Sequence, residues 1–531
     1  MPKSNAVMFS RCYDTTNPAL KAYFGRVVEG QSKVYDTPFA RGESTEQLLN
    51  AWSGILDQIN DEWPSLRSFE NDLRAKVGPM SVMKPLRDRI EDIDHYYDLI
   101  HLKSEPISRA AIAAVIGEWA GVRGLQPRTQ GRTIETMKKS TNSGSPYFRK
   151  RKTVLTETVP CKVMPYKDLV HQQLHYESWD ACATLGWRGQ EGGPKATDVK
   201  QRVVWMFPFA VNVRELQVYQ PLIEAAQRFN LVPAWVSMDE VDKRITRLFD
   251  TKGTSDLVVC TDFSKFDQHF NEDMQTASNQ ILASLLNSSS DSVEWLENVH
   301  PVKYMIPLAY DWNAMRFGRH GMGSGSGGTN ADETLVHRSL QYESAIKAKA
   351  RLNPNSQCLG DDGILSYPGI TVEDVVEAYA AHGQEMNLDK QYASTQDCTY
   401  LRRWHHKDYR INGVCVGVYS TFRALGRLRY LERYYDPSMW GPTMVALRQL
   451  SIIENVKYHP LREEFAEFCM KRDKYRLGIN LPGFLDNIES VSKEAIEYMP
   501  DFLGYTKSLQ SDAGGIGIKN WWIVNYLKSR A

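Results

Sequence analysis

The chain has 531 residues, 42% hydrophobic and 24% charged, ordinary proportions for a folded protein and too many residues for one compact core, so two or three packed lobes are expected. Its 64 basic and 64 acidic residues cancel, and net charge therefore does not by itself mark a nucleic-acid binder. No apolar N-terminal stretch and no run of about 18 apolar residues occurs, and the eight cysteines are scattered, Cys398 and Cys415 being the closest pair; this predicts a protein without a membrane span, a disulfide framework or a CxxC metal knuckle.

In chain order, residues 1 to about 60 mix short helical patterns with turns, and residues 85 to 120 read as helical. Pro and Gly then mark loops at 124–131, 142–146 and 189–194. Between Arg123 and Lys152 stand nine basic residues and one acid, Glu135. With interleaved Ser, Thr, Gly and Asn this suits loops that follow a phosphate backbone, and it equally suits a solvated basic face. A β-rich run, QRVVWMFPF, carries Trp205, Met206, Phe207 and Phe209, aromatic and apolar residues that fit a core better than a base-stacking surface. Helical patterns follow to about 250, then a short strand, LVVCTDF, and the last 120 residues read as mostly helical.

That strand is the first informative feature. Leu257–Cys260 is apolar throughout, which predicts burial, and its end delivers Asp262, with Asp267 five residues on. A carboxylate leaving a buried strand loses hydration unless a cation or hydrogen bonds compensate, which suits a metal ligand, although the pair alone also suits a surface turn. Ninety-nine residues after Asp262, SQCLGDDGILSY predicts a β-hairpin with Gly360, Asp361 and Asp362 at its tip. Adjacent carboxylates repel each other, and such a tip favours a divalent cation or open solvent.

Between the two acidic segments, GRHGMGSGSGGTNADETL is a glycine-rich loop running into a helix. Gly323, Gly325 and Gly328 fit GxGxxG, but no apolar strand precedes them and no acid follows at about twenty residues, so the dinucleotide fingerprint fails. No Lys follows the glycines, which excludes a phosphate loop of the Walker type. A loop whose amides and hydroxyls grip a nucleic-acid backbone remains. At its end Asn330 and Glu333 have the spacing of a helix capping box, whatever the function.

The order and spacing of these segments resemble viral RNA-dependent RNA polymerases, whose palm domain carries DxxxxD, SGxxxT and GDD in this sequence, and among them the picobirnavirus enzymes most. The resemblance maps the first motif to Asp262 and Asp267, the second to Ser324, Gly325 and Thr329, and the third to Gly360, Asp361 and Asp362. It further implies template guidance by Thr141, Gly144 and Pro146, a triphosphate grip by Lys200 and Arg202, a proton donor in Lys390, and a priming segment at Tyr400, Leu401, Arg402 and Arg403, the two arginines touching RNA. One departure stands out. Relatives often carry Asn four residues after the threonine of the second motif, as partner of the second acid in sugar recognition; here that position is Glu333, with Asn330 one turn early.

The implied fold is α+β, a closed right hand. Residues 1–60 form an N-terminal extension bridging to the thumb, 61–248 the fingers, 249–410 a palm with an antiparallel sheet, and 411–531 a helical thumb with a C-terminal tail. The implied mechanism uses two magnesium ions, with manganese as substitute, bridged by Asp262 and Asp361 and with Asp362 as outer ligand; the absence of a Cys/His cluster agrees. Asp267 is small and accepts a hydrogen bond from a ribose 2′ hydroxyl, favouring ribonucleotides, with Asn330 in the same nucleotide site. Implied partners are an RNA template, its product duplex, ribonucleoside triphosphates and capsid protein, for a monomer in the virion interior and host cytoplasm of a double-stranded RNA virus. A non-catalytic RNA-binding or capsid-associated protein with a relic palm is the alternative, and retention of all the acids argues against it.

Two smaller features are read from the residues. His405 and His406 lack a third ligand at a sensible spacing for a metal. In the tail, Gly514, Gly515 and Gly517 form a hinge before Trp521, Trp522 and Tyr526, flanked by Lys519, Lys528 and Arg530. Those rings suit either stacking on a first nucleotide when synthesis starts without a primer or pinning the terminus to the thumb.

Overall fold

Strands form where β-branched and aromatic residues concentrate, and the computed structural model, which describes residues 6–498 and 517–531, groups them into four small sheets among the described residues. The first is an antiparallel meander of β1 (Lys162–Tyr166), β2 (Leu169–Gln173) and β3 (Ser178–Ala181). A long hairpin follows, β4 (Ala183–Gln190) with β5 (Lys200–Met206), where the β-rich run was read. Next come β6 (Val258–Thr261) and the hairpin β7 (Leu308–Asp311) and β8 (Ala314–Arg316); β7 pairs parallel with β4, giving the order β5-β4-β7-β8. The hairpin β9 (Gln357–Leu359) and β10 (Asp362–Leu365) joins β6 and β11 (Tyr392–Ser394) in the antiparallel central sheet, order β11-β6-β10-β9. The last sheet is β12 (Asp397–Tyr400), β13 (Arg403–His406) and β14 (Val418–Tyr419).

The continuous apolar run of β6 has a direct cause: both faces of the central sheet are covered. Val259 and Leu365 pack with Ile281, Leu335, Val336 and Tyr379 of the helices on one face. Val258, Cys260 and Ile364 pack on the other against Val241, Ile245 and Leu248 of the helix Met238–Thr251. The helix Thr329–Lys347 runs through the first of these layers with almost every residue of its middle turns buried.

Residues from the two ends of the chain share one core. Phe39, Leu48, Trp52 and Leu66 pack with Phe422, Leu447, Leu450 and Phe465. The Trp52 indole donates to Thr421 Oγ1 at 2.7 Å, and the buried Glu70 carboxylate accepts the Thr421 N–H at 2.8 Å, capping the helix Thr421–Arg429. The tail aromatics join this core: Trp521 is buried, the N–H groups of Trp522 and Ile523 donate to Glu454, and the Tyr526 hydroxyl donates to Glu467 at 2.7 Å. Gly514 and Gly515, the first two glycines of the expected hinge, lie outside the described residues. Trp205, Phe207 and Phe209 are buried in the core around β4 and β5, with Met206 packed against it. Among the described residues no helix is long and apolar enough to cross a membrane.

Burial raises the Glu70 carboxyl from 4.5 to about 7, against the opposing hydrogen bonds from Thr421 and Ser420. The folded state then holds a proton that the unfolded chain has lost, so this group makes stability fall as pH rises from about 4.5 through about 7. Glu70→Gln is expected to remove that component. Denaturant titrations at about pH 5 and about pH 7.5 should show the wild type losing roughly 1–3 kcal/mol more than the variant over this interval.

Candidate active site

The β6 and β10 pairing brings the acids together. Gly363 pairs with Thr261, so one step further Asp262 stands opposite Asp362, with Asp361 beside it at the hairpin tip. Gly360 has φ +57°, a conformation that favours glycine. Its N–H donates to Thr334 Oγ1 at 2.9 Å, and its carbonyl accepts from His337 Nδ1 at 2.8 Å. Thr334 and His337 are three residues apart on the helix Thr329–Lys347, hence on one face of it. Burial lowers the His337 imidazole to about 4, so the ring is neutral near pH 7 and serves as a fixed donor.

Asp262 is held by its backbone as well. Gln391 Oε1 accepts the Asp262 N–H at 2.8 Å, and Nε2 donates to the Asp262 carbonyl at 2.8 Å and to the Asn387 carbonyl at 2.9 Å. The ladder between β6 and β11 ends at Cys260 and Tyr392, and this side-chain amide continues it where the strand pairing stops. Gln391 carries no motif of its own and directly follows Lys390.

The three acids differ in what they touch. Asp362 Oδ2 accepts the Leu401 N–H at 2.8 Å, and burial together with Asp361 pushes its carboxyl up to about 7. Asp361 opens onto a cavity of about 1040 Å³, where the enclosing protein raises its carboxyl and Arg202 opposes the rise. Asp262, Lys200, Arg202, Lys390 and Arg402 line the same cavity. Mutually repelling carboxylates with all-oxygen donors fit magnesium or manganese. Among the described residues no group of three or more His, Cys, Asp or Glu is arranged to hold a metal by itself; ions held by Asp262 and Asp361 would need phosphate oxygens and water to complete their shells.

The glycine-rich loop lies against β5. Ser324 Oγ donates to the Val203 carbonyl at 3.2 Å, and a Cβ on Gly325 would stand 1.6 Å from the Trp205 carbonyl oxygen, so only glycine fits there. Thr329 Oγ1 donates to the Gly323 carbonyl at 3.2 Å. The capping box expected of Asn330 and Glu333 is absent. The helix starts at Thr329 with Gly328 as an N-cap without a side-chain bond, which places Asn330 inside the first turn, its Oδ1 accepting from the Trp235 indole at 2.7 Å. Glu333 instead meets Asp267, carboxyl to carboxyl, and burial and then Asp267 push its carboxyl well above the usual carboxylate range. The position at which the resemblance implies Asn is thus filled by an acid paired with Asp267.

Beneath the loop is a buried network without a sequence signature. Glu215 accepts from Ser326 Oγ and, at 3.1 Å, from the Gly327 N–H. Lys303 Nζ lies 3.0 Å from Asp332, which also accepts from the hydroxyls of Tyr219 at 2.7 Å and Tyr304 at 2.6 Å. Burial alone would raise the Asp332 carboxyl, but Lys303 and His300 outweigh it and hold the group well below its ordinary range.

Other residues singled out from the sequence stand elsewhere. Thr141 is exposed, while Gly144 and Pro146 are buried, the Pro146 carbonyl accepting the Asp14 N–H at 2.9 Å; none of the three lines the cavity. In the basic stretch Arg151 donates to Asn212 at 2.6 Å and Arg132 pairs with Glu135, while Arg149, Lys150 and Lys152 are exposed. Arg403 turns away from Arg402 and forms a two-pronged pair with Asp242 at 2.9 and 3.0 Å. His405 donates to the same acid at 2.9 Å, a buried structural role, and His406 packs on Trp63 and Trp404.

Residues 81–467 match the family described as viral RNA-dependent RNA polymerase. The chain belongs to this family. It is 61% identical over 528 residues to a potential RNA-dependent RNA polymerase of human picobirnavirus (strain Human/Thailand/Hy005102/-), covering 98% of this chain and 99% of that one. The crystal structure of an RNA-dependent RNA polymerase of a human picobirnavirus is similar with a TM-score of 0.95 at 61% identity, covering 99% of both chains. An insertion-loop deletion mutant of such a polymerase gives 0.93 at 59% identity, again over 99% of both chains. Mixed helices and sheets around an antiparallel centre are therefore those of a polymerase fold.

For the polymerase, Gln391→Leu keeps side-chain bulk and removes both hydrogen bonds to the Asp262 backbone. Steady-state incorporation assays should show kcat reduced about 10- to 100-fold, the scale of a small misplacement of a catalytic group, with KM for the nucleotide nearly unchanged. An unaltered kcat would remove Gln391 from the positioning of Asp262.

Proposed function

We propose that the polymerase joins ribonucleoside triphosphates on an RNA template by in-line displacement at the α-phosphate, replicating and transcribing a viral genome. The observation that carries this is the β6 and β10 register, which sets Asp262 and Asp361 in one cavity facing Lys200 and Arg202. When bound there, two magnesium ions, or manganese in their place, stabilise the attacking 3′ oxygen and the leaving pyrophosphate. Asp262 and Asp361 would hold them. Asp362, tied to the Leu401 N–H, keeps the priming turn in place and acts as an outer ligand. Lys200 and Arg202, two apart on β5 and so on one face of it, offset triphosphate charge, and Lys390 gives a proton to the departing pyrophosphate.

Ribose is read by Asp267 with its partner Glu333. The acid pair offers acceptors to a 2′ hydroxyl, and the loop that carries Ser324, Gly325, Thr329 and Asn330 into its helix meets Asp267 through the Met322 N–H, 2.9 Å from the Asp267 carbonyl. By likeness to the family, residues 61–248 serve as fingers, 249–410 as palm and 411–531 as thumb, with 1–60 bridging to it. Template passes Thr141, Gly144, Pro146 and Arg402, and synthesis starts without a primer. The enzyme works as a monomer in the virion interior and host cytoplasm, in contact with capsid protein.

Asp361→Ala is expected to lower incorporation at least about 10³-fold, since a metal-holding acid supplies several kcal/mol of charge stabilisation, while RNA binding in a filter assay stays near wild type. Synthesis persisting above a few per cent would overturn the assignment. Asp267→Ala should erode discrimination between ribonucleotides and deoxyribonucleotides by about tenfold or more, one lost hydrogen bond to a buried partner being of that size; competition assays with paired substrates measure it, and unchanged selectivity would take Asp267 out of sugar recognition.

A further inference from the structure

One face of a helix meets the glycine-rich loop almost residue by residue. On the helix Phe209–Arg228, Asn212, Glu215, Leu216 and Tyr219 follow the i, i+3, i+4, i+7 spacing of a single face. Asn212 Nδ2 donates to the Gly325 carbonyl at 3.3 Å, and Glu215 accepts from Ser326 Oγ and from the Gly327 N–H. Further along, a Cβ on Gly327 would stand 3.1 Å from the Leu216 side chain, and one on Gly328 would stand 2.2 Å from the Tyr219 ring. The loop has few side chains of its own, so this face sets where its backbone lies.

Asn212 has a second partner on its other side. Its Oδ1 accepts from Arg151 Nη2 at 2.6 Å, while its Nδ2 also donates to Glu215 at 3.0 Å. Arg151 belongs to the basic stretch and is tied into it: Nε donates to the Asn142 carbonyl at 3.3 Å and the backbone N–H to the Thr141 carbonyl at 3.0 Å. Its guanidinium lies over the Phe209 ring at 5.2 Å, and the Phe209 N–H donates to the Ser143 carbonyl at 2.9 Å. Arg149, Lys150 and Lys152 beside it are exposed. The amide of the buried Asn212 is thus fully engaged, its oxygen towards the basic stretch and its two hydrogens towards Glu215 and the glycine-rich loop. An amide group is planar. A movement of Arg151 that carries the oxygen along turns the donor at the Gly325 carbonyl with it.

We propose that Asn212 is a positioning residue that links the loop 141–152 to the glycine-rich loop, so that RNA held on the first sets the second for the incoming nucleotide. Phosphates drawn to the exposed Lys150 and Lys152 act on the segment that carries Arg151. Arg151 acts on the Asn212 oxygen, and the Asn212 amide acts on the Gly325 carbonyl. Asn212 itself touches neither RNA nor nucleotide in this scheme. Coupling of this kind is reciprocal: template that favours one setting of the loop raises nucleotide affinity, and nucleotide raises template affinity by the same factor. The proposal rests on the reading of Thr141, Gly144 and Pro146 as the template side and of Ser324, Gly325 and Thr329 as the nucleotide side, and it adds Arg151 and Asn212 as the connection between them.

The test uses the full chain with two readouts. Amide hydrogen exchange of residues 323–328 is followed with and without single-stranded RNA, in the absence of nucleotide. RNA should slow exchange there about fivefold in the wild type, the lower end of coupling between two sites. Asn212→Leu keeps side-chain bulk and removes all three hydrogen bonds; it should abolish that response while RNA still binds near the wild-type affinity. Incorporation kinetics then form a double-mutant cycle. Asn212→Leu and Arg151→Leu should each raise KM for the nucleotide about tenfold with kcat little changed, and the double variant should raise it no further, because Arg151 acts through Asn212. A rise of about a hundredfold in the double variant, the product of independent effects, would overturn the link, as would a fall in kcat at unchanged KM. A wild-type loop whose exchange ignores bound RNA would overturn it too. Should Asn212→Leu fail to fold, Asn212→Asp, which keeps the acceptor for Arg151 and loses the donor to Gly325, takes its place in both measurements with the same expected results. A wild type whose loop responds to RNA but which incorporates no ribonucleotide would refute the polymerisation reading instead.

Discussion

Acids gathered at one cavity wall repel each other, and holding them there without spending their own oxygens is the constraint that organises the centre of the molecule. Fixing Asp262 and Asp361 through their side chains would occupy their carboxylate oxygens. The structure holds their surroundings by main chain instead: both polar groups of Gly360 by Thr334 and His337, both of Asp262 by Gln391. Only Asp362 spends a carboxylate oxygen on the fold, and the bond reaches the next functional turn. Neutral donors suit this role. A His337 held uncharged by burial adds no cation that would compete for the acids.

The same logic extends under the glycine-rich loop. Close approach of its backbone to Trp205 requires a residue without a side chain at Gly325, and a loop so bare has little packing of its own. Its stiffness comes from below, where Glu215 takes bonds from Ser326 and Gly327 and the pair of Lys303 with Asp332 anchors the start of the following helix. Buried ions that lose one partner are costly, by about 3–5 kcal/mol, so the network resists rearrangement while the loop surface stays open.

Much of the centre was legible in the sequence because its chemistry is local. A four-residue apolar strand ending in Asp262, a glycine before paired acids and a glycine-rich loop ahead of a helix each state a backbone geometry, and their order carries the family. What was not legible depends on contacts across hundreds of residues. Nothing near Glu333 announces that it turns from capping its helix to meet Asp267, because the helix start is set by Gly328 and Thr329 packing on the loop. Arg402 and Arg403 look alike in sequence, but the positive-φ turn sends one to the cavity and the other to Asp242. Thr141, Gly144 and Pro146 had a motif to mark them, and the structure places them in a loop beside residues 12–14 and 207, outside the lining of the cavity.

The core shared by the two ends of the chain bears on how the molecule is made. Trp52 and Glu70 leave the ribosome early, yet their partner Thr421 follows 369 and 351 residues later, and the Thr37 hydroxyl waits for the Leu428 carbonyl across 391. Closing such long loops is entropically costly and slow. Until translation nears its end, Trp52, Leu48 and Phe39 lack the apolar surface that covers them. The nascent polymerase therefore carries an open flank that chaperones can bind, and the wall of the cavity to which Arg423 and Arg427 belong closes only on a finished chain. A translation product truncated after residue 410 would keep Asp262, Asp361 and Asp362 and lack part of the cavity wall around them.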